Sequence, residues 1–380
     1  MNENNEKDNM NVSVIGIGKL GLCFALTLEK AGYNVMGVDI DQNRVDIIND
    51  KTFKSCEPGV EQLLSLSKNF VATTSVDDAL QHSDMIFVIV ATPSLANGRY
   101  DHSQVDSLVA LLEKKGRQES LKHFIVCCTT MPGYSDTVQE RLEKSNYVVS
   151  YNPEFIAQGS ILRDQLCPDM ILIGEGSKEA GDSLESVYSQ MTENDPFICR
   201  MRRTEAEITK ISLNCFLTTK IAFANMIGDI AIASECRPQV ILNAIGADSR
   251  IGLKYLGYGF GYGGPCFPRD NRALAIYADD KNIKALISLA SDESNREHLK
   301  FQVEEFCKKT KSDLVSFESV TYKPNTTIVE ESQQLEYAVQ IAKKGFTVVI
   351  KESKEVVKSL KEKFGNLFLY EERDFNEHKK

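Results

Sequence analysis

Val12-Ser-Val-Ile15-Gly16-Ile-Gly18-Lys19-Leu20-Gly21, with Asp39 eighteen residues after its last glycine, decides the fold. Val12 to Ile15 is a short apolar run that reads as a strand. Leu22 to Lys30 reads as a helix ended by Gly32, and Asn34 to Val38 as a second strand with Asp39 at its end. A lone GxGxxG is weak. Between two strands, and with an acid at this spacing, it specifies a dinucleotide-binding unit. Gly16 makes the turn, Gly18 lets a pyrophosphate reach the amides of Lys19 and Leu20 at the helix N-terminus, and Gly21 lets helix pack on strand. Asp39 would accept hydrogen bonds from both ribose hydroxyls, which favours NAD over NADP. Arg44 is the one nearby cation that argues otherwise.

Outward from this unit the strand–helix alternation continues. Met85 to Val90 reads as a strand ending at Ala91-Thr92-Pro93, and Phe124 to Cys128 as one ending at Thr129-Thr130-Met131-Pro132. Tyr147 to Ser150 leads into Asn152-Pro153-Glu154-Phe155. Met170 to Ile173 and Phe197 to Cys199 add two more. Ligands of open α/β sheets bind beyond the carboxyl ends of strands, where Thr92, Thr130 and Glu154 stand.

The longest helical pattern comes next, from about Ile208 to Ala233. Thr204-Glu-Ala-Glu207 before it reads as a capping box. Lys210 and Asn214 lie one turn apart and share a face. Such a helix between two α/β halves reads as a connector and a dimer face. Pro238 to Ile245 reads as a short helix. Gly257 to Asp270 then carries five glycines and Cys266 between Pro265 and Pro268. Glycines let backbone approach a ligand, and the proline rings stiffen the approach of the thiol. Asp270 reads as a helix cap. Asn282 to Lys309 reads as mostly helical. A smaller α/β unit follows, with strands at Leu314 to Tyr322, Thr347 to Ile350 and Leu367 to Tyr370, and helices at Ser332 to Lys344 and Lys354 to Phe364.

Composition limits the function classes. A net charge of −10 argues against a general nucleic-acid surface. Ten cysteines, with no CxxC, fit thiols in a reducing cytoplasm better than a disulfide scaffold. Residues 1–10 are polar, without the apolar core of a signal peptide, and read as a disordered tail. No unbroken apolar run approaches the roughly 20 residues of a membrane span. No metal site is expected.

The fingerprint, Thr130, Asn152-Pro-Glu-Phe155, Lys210 with Asn214, and Gly263-Gly-Pro-Cys-Phe-Pro-Arg-Asp270 stand in one order. In that order the chain resembles the UDP-glucose/GDP-mannose dehydrogenase family. The match is specific in the first two thirds and weak in the last quarter. The resemblance implies an α/β fold of two Rossmann-like doubly wound units joined by a long central helix, the second unit shortened. It implies an NAD-binding domain over 11–200, a central helical domain over 201–295 and a nucleotide-sugar-binding domain over 296–380. It further implies a cytoplasmic homodimer, paired through the central helix, that oxidises the C6 hydroxyl of a nucleotide sugar to a carboxylate with two NAD and one water.

By resemblance, Cys266 is the nucleophile, Lys210 and Asn214 stabilise oxyanions, and Asp270, Thr130 and Glu154 serve water activation. Phe155, Tyr255, Gly263 and Lys323 face the substrate, and Arg250 reaches the partner subunit's site. UDP-glucose is the expected substrate, with GDP-mannose or another UDP-hexose as the alternative. Departures leave a further alternative, an impaired NAD-binding relative with a structural or regulatory role. Gln158 replaces the family's second glutamate, Ser319 a glycine, Thr327-Ile328 an acidic pair and Glu330 an arginine.

Overall fold

The computed structural model describes residues 11–323 and 326–373. The expected tail at 1–10 lies outside the described residues, as do Pro324 and Asn325. The chain falls into two compact units, residues 1–210 and 211–380.

The first unit is built on an eight-stranded sheet. Its strands are β1 (Asn11–Ile15), β2 (Asn34–Val38), β3 (Phe70–Thr73), β4 (Met85–Val88), β5 (Lys122–Val126), β6 (Tyr147–Tyr151), β7 (Met170–Glu175) and β8 (Phe197–Arg202). Their order is β3-β2-β1-β4-β5-β6-β7-β8. Every pairing is parallel except β6 with β7, which meet antiparallel at Tyr151 and Gly174. The winding reverses where β1 lies beside β4, the position at which open sheets bind ligands.

Side-chain alternation explains why both faces need cover. Phe87 and Ile125 enter one core with Val12, Val14 and Phe24, while Ile86, Val88, Phe124 and Val126 enter the other with Ile15 and Val109. Strands buried on both faces carry continuous apolar runs. The helix Lys19–Lys30 covers one side and Ser103–Lys115 the other.

The long helix runs from Arg203 to Ala233, 31 residues or about 46 Å. It starts five residues before the periodicity suggested, directly after β8. The capping box is not formed. Thr204 lies inside the helix, its hydroxyl donating to Asp136 at 2.6 Å, and Glu207 turns to a neighbouring loop. The helix is also long and apolar enough to cross a membrane by length and composition, with an 18-residue window of mean hydropathy 1.4, 39% of it buried. Thr218-Thr219-Lys220, Asn225 and Asp229 interrupt the apolar residues of this helix, so the sequence shows no unbroken apolar run there. Phe216, Phe223, Met226 and Ile230 are exposed along it, spaced to lie on one side.

In the second unit, helices Pro238–Gly246, Phe267–Asp280 and Leu286–Lys309 precede a three-stranded sheet of β9 (Leu314–Phe317), β10 (Thr347–Glu352) and β11 (Leu369–Glu372). All pairings are parallel and the strands lie in sequence order, so among the described residues this smaller sheet shows no reversal. The strand expected to reach Tyr322 ends at Phe317. The buried Glu352 carboxylate takes over from the ladder, accepting from Ser319 Oγ at 2.6 Å, Val320 N at 2.7 Å and Thr321 N at 3.3 Å. The sequence showed no partner for this turn, because Glu352 reads as a polar strand end. Val320, Leu335, Ala338, Ile350 and Leu360 form the core of this sheet.

Candidate active site

The fingerprint glycines are fixed by space. Gly16 adopts φ +95°, and a Cβ there would drive into the Ile89 carbonyl. A Cβ on Gly21 would drive into the carbonyl of Gly16. At Gly18, by contrast, no atom lies within 4 Å of where a Cβ would stand, and this residue is the N-cap of helix Lys19–Lys30. Open space before unpaired helix amides is what a pyrophosphate needs, so these residues fit the dinucleotide. Asp39 stands at the end of β2 and accepts from Asp41 N at 3.1 Å. Arg44 approaches its other oxygen at 3.7 Å, so the cation that argued for a 2′-phosphate sits beside Asp39's charge. Thr92 Oγ donates to the Thr129 carbonyl at 2.8 Å, tying the loop after β4 to the loop after β5.

Beyond β6, Asn152 donates to Leu172 O and accepts from Tyr188 OH, which fixes the start of the Asn-Pro-Glu-Phe run. Glu154 Oε1 has no hydrogen-bond donor among the described residues. Burial pushes the Glu154 carboxyl up from 4.5 to about 7, against the opposing charge of Lys210. Glu154 lines a cavity of about 20 Å³ with Asn152, Phe155, Gln165 and Tyr188. That volume suits one water, and a carboxyl titrating near neutrality can take its proton. Lys210 Nζ donates to the Glu154 carbonyl and lies 4.2 Å from the centre of the Phe155 ring. Gln158, the departure from the family pattern, accepts from Lys19 Nζ at 3.3 Å.

Glu207, which the sequence reads only as part of a capping box, stands beside these residues. Glu207 is fully buried. Its Oε1 accepts from Thr130 Oγ at 2.9 Å, Ser135 N at 2.9 Å and Ser135 Oγ at 2.7 Å, and its Oε2 from Gly133 N at 2.6 Å. Thr130 is likewise buried, with its hydroxyl committed to Glu207 instead of facing open space. The available signal was Glu207 three residues before Lys210 on one helix face, which the Thr-x-x-Glu pattern concealed.

In the second unit, Cys266 is exposed at the N-cap of helix Phe267–Asp280, where the helix end favours an anion. Asp270 is not a cap. It lies inside the first turn, buried, accepting from Asn214 Nδ2 at 2.6 Å and facing Arg269 Nε at 3.4 Å. The glycine loop is seated closely: a Cβ on Gly263 would strike the Glu331 carbonyl. Arg272 pairs with Glu331, joining the same helix to the turn before helix Gln333–Lys343. Tyr255 holds φ +62° and packs edge-on to Phe267 at 6.4 Å. Arg250 is well exposed and pairs with Asp248 at 2.7 Å. The Lys323 carbonyl accepts from the hydroxyls of Thr321 and Thr326.

Geometry therefore brings Glu154, Phe155 and Lys210 together in one unit and Asn214 with Asp270 in the other. A crevice with a glycine cradle and a ribose-facing acid, beside a near-neutral carboxyl and a lysine, defines an NAD-dependent oxidoreductase. Comparison with known proteins agrees. Residues 10–192 match the NAD-binding domain of the UDP-glucose/GDP-mannose dehydrogenase family and residues 204–297 its central domain. The chain belongs to that family, and its cofactor is NAD. A GDP-mannose 6-dehydrogenase of Pseudomonas savastanoi pv. phaseolicola is 30% identical over 358 residues, 90% of this chain and 81% of that protein. A UDP-glucose 6-dehydrogenase of Pseudomonas aeruginosa is also 30% identical, over 86% of this chain and 75% of that protein. The structure of a UDP-glucose dehydrogenase from Pyrobaculum islandicum superposes with a TM-score of 0.86 at 29% identity, covering 97% of this chain and 87% of that one.

Proposed function

We propose that this chain is a nucleotide-sugar 6-dehydrogenase that carries out the four-electron oxidation of a C6 hydroxyl to a carboxylate, with UDP-glucose as substrate. The observation that carries the reading is Glu154, a buried carboxyl titrating near 7 beside a water-sized cavity. Two-electron alcohol oxidation needs no such water base; hydrolysis of an acyl intermediate does. NAD, held by the cradle Gly16 to Gly21 and Asp39, supplies acceptance of one hydride in each oxidation.

The chain's own residues do the rest. Cys266 sulfur adds to the aldehyde carbon, and the resulting thiohemiacetal is oxidised to a thioester. Water oxygen then attacks that carbon, its proton passes to Glu154, the C–S bond breaks and the thiolate leaves. Lys210 and Asn214 stabilise the oxyanions. Asp270, held by Asn214, fixes the helix that carries Cys266. Tyr255, Gly263 and Lys323 serve the substrate, whose UDP-glucose identity is supported by the aromatic glycine loop and the Pyrobaculum islandicum likeness. We also take the chain as cytoplasmic, where reducing conditions keep Cys266 a thiol. We take it as a homodimer that covers the Phe216, Phe223, Met226 and Ile230 stripe, with Arg250 reaching the partner's site.

A panel of UDP-glucose, GDP-mannose and UDP-N-acetylhexosamines with NAD tests the reading. Two NADH per UDP-glucose are expected. One NADH per sugar would remove the thioester route, and no NADH from any member would leave an NAD-binding relative without this activity.

A further inference from the structure

We propose that Glu207 is a positioning residue for the NAD site, holding the loops after β4 and β5 in their cofactor-binding shape. The loop after β4 borders the reversal between β1 and β4, the loop after β5 lies one strand further along, and neither is the close-packed GxGxxG turn. Something else must fix them. The loop after β5 has Thr129, Thr130, Met131, Pro132 and Gly133 in succession, with Gly133 at φ +94°. Left alone, such a segment has several accessible shapes.

Glu207 removes that freedom from one point. Its two oxygens accept four hydrogen bonds, from the Thr130 hydroxyl, the Gly133 and Ser135 amides and the Ser135 hydroxyl. The amides of Gly133 and Ser135 belong to the N-terminal end of helix Tyr134–Leu142, so a carboxylate there also suits that helix's dipole. Because every partner is a donor, the arrangement suits an ionised carboxylate and no neutral replacement satisfies it. With Thr130 held, the adjacent Thr129 carbonyl is placed to accept from Thr92 Oγ at 2.8 Å, and the loop after β4 is tied in turn. The connection runs Glu207, Thr130, Thr129, Thr92. It begins on the long helix, three residues before Lys210.

Glu207→Gln discriminates. The amide oxygen can still accept from Thr130 and Ser135, but its NH₂ then meets the Gly133 amide, donor against donor. Losing hydrogen bonds to this charged group should raise the NAD dissociation constant by on the order of tenfold or more. Titration calorimetry with NAD reads this directly. Thr130→Val should weaken NAD similarly, and the double variant should be little worse than either single one, because both break the same connection. Hydrogen exchange in the 129–137 segment should rise in Glu207→Gln while the strands β1 and β4 keep their protection.

NAD affinity within twofold of the parent would overturn the proposal. So would additive losses in the double variant, or a general rise in exchange across β1 and β4, which would make Glu207 a residue of global stability only. If Glu207→Gln does not fold, Thr130→Val and Thr92→Val carry the test by the same calorimetry. Unchanged NAD affinity in both would overturn it equally.

Discussion

The Lys210 ammonium sits 4.2 Å from the centre of the Phe155 ring while donating to the carbonyl of Glu154, the residue before that phenylalanine. A cation held over a ring face and by a carbonyl is fixed in direction.

Phe155→Leu keeps bulk and removes the ring quadrupole, worth about 0.5–2 kcal/mol. The expected result is a fall in kcat of severalfold, with melting temperature nearly unchanged. Lys210→Met should cost on the order of 10²-fold or more in kcat. Steady-state kinetics on both variants checks the ranking. An equal loss from both, or a larger one from Phe155→Leu, would show that the ring and not the ammonium is the functional group.

Glu154 gives a pH dependence with a defined sign. A general base must be ionised, so turnover limited by water attack should rise as pH climbs through about 7 and level off above it. The folded value lies above the ordinary 4.5, so the folded chain holds this proton more tightly than the unfolded one. Ionisation therefore costs stability progressively as pH rises from 4.5 through 7. Glu154→Gln should lack the activity limb and should melt higher than the parent at pH 8 but not at pH 4. Kinetic pH profiles and thermal melts at the two pH values read both effects.

The fingerprint glycines should separate by role. Gly21→Ala places its methyl in the Gly16 carbonyl and is expected to destabilise the first unit by several kcal/mol, seen in denaturant unfolding. Gly18→Ala meets no protein atom within 4 Å and should fold normally. Its methyl points where the pyrophosphate approaches, so NAD affinity should drop tenfold or more by calorimetry. Normal NAD binding by a folded Gly18→Ala would move the cofactor away from this turn.

Gln158→Glu would place a carboxylate 3.3 Å from the Lys19 ammonium. The restored acid should shorten the life of the acyl intermediate and raise turnover a few fold. Intact-protein mass spectrometry of quenched reactions measures the acylated fraction, which should fall. Unchanged acylation and turnover would mean that Glu154 suffices as the base.

The fold was legible where one residue type has one structural use. Gly16, Gly18, Gly21 and Asp39 have fixed places in a strand–turn–helix–strand unit, and β2 ends where its sequence says. Thr204 and Glu207 were misread because a local pattern and a tertiary one share the same residues: the capping box competes with a loop from 70 residues away. The overlong strand at Leu314 failed for the same reason, since Glu352 is distant in sequence from the turn it holds. Lys210, Asn214, Cys266 and Asp270 stand out in the sequence as candidates. Their partners do not, because a contact such as Asn214 with Asp270 spans 56 residues and leaves no local pattern.

The long helix from Arg203 to Ala233 sets a reading frame for the site. Glu207, Lys210 and Asn214 stand at relative positions 0, 3 and 7, two turns of one face. Inserting or deleting a single residue between Glu207 and Lys210 would rotate Lys210 by about 100° relative to Glu207 and point it away from the Glu154 carbonyl while Glu207 kept its loop. Four residues would overshoot by only about 40° but shift the register by about 6 Å. This stretch therefore accepts exchanges of residue type far more readily than changes of length, and variation in length must fall in the loops that the helix holds.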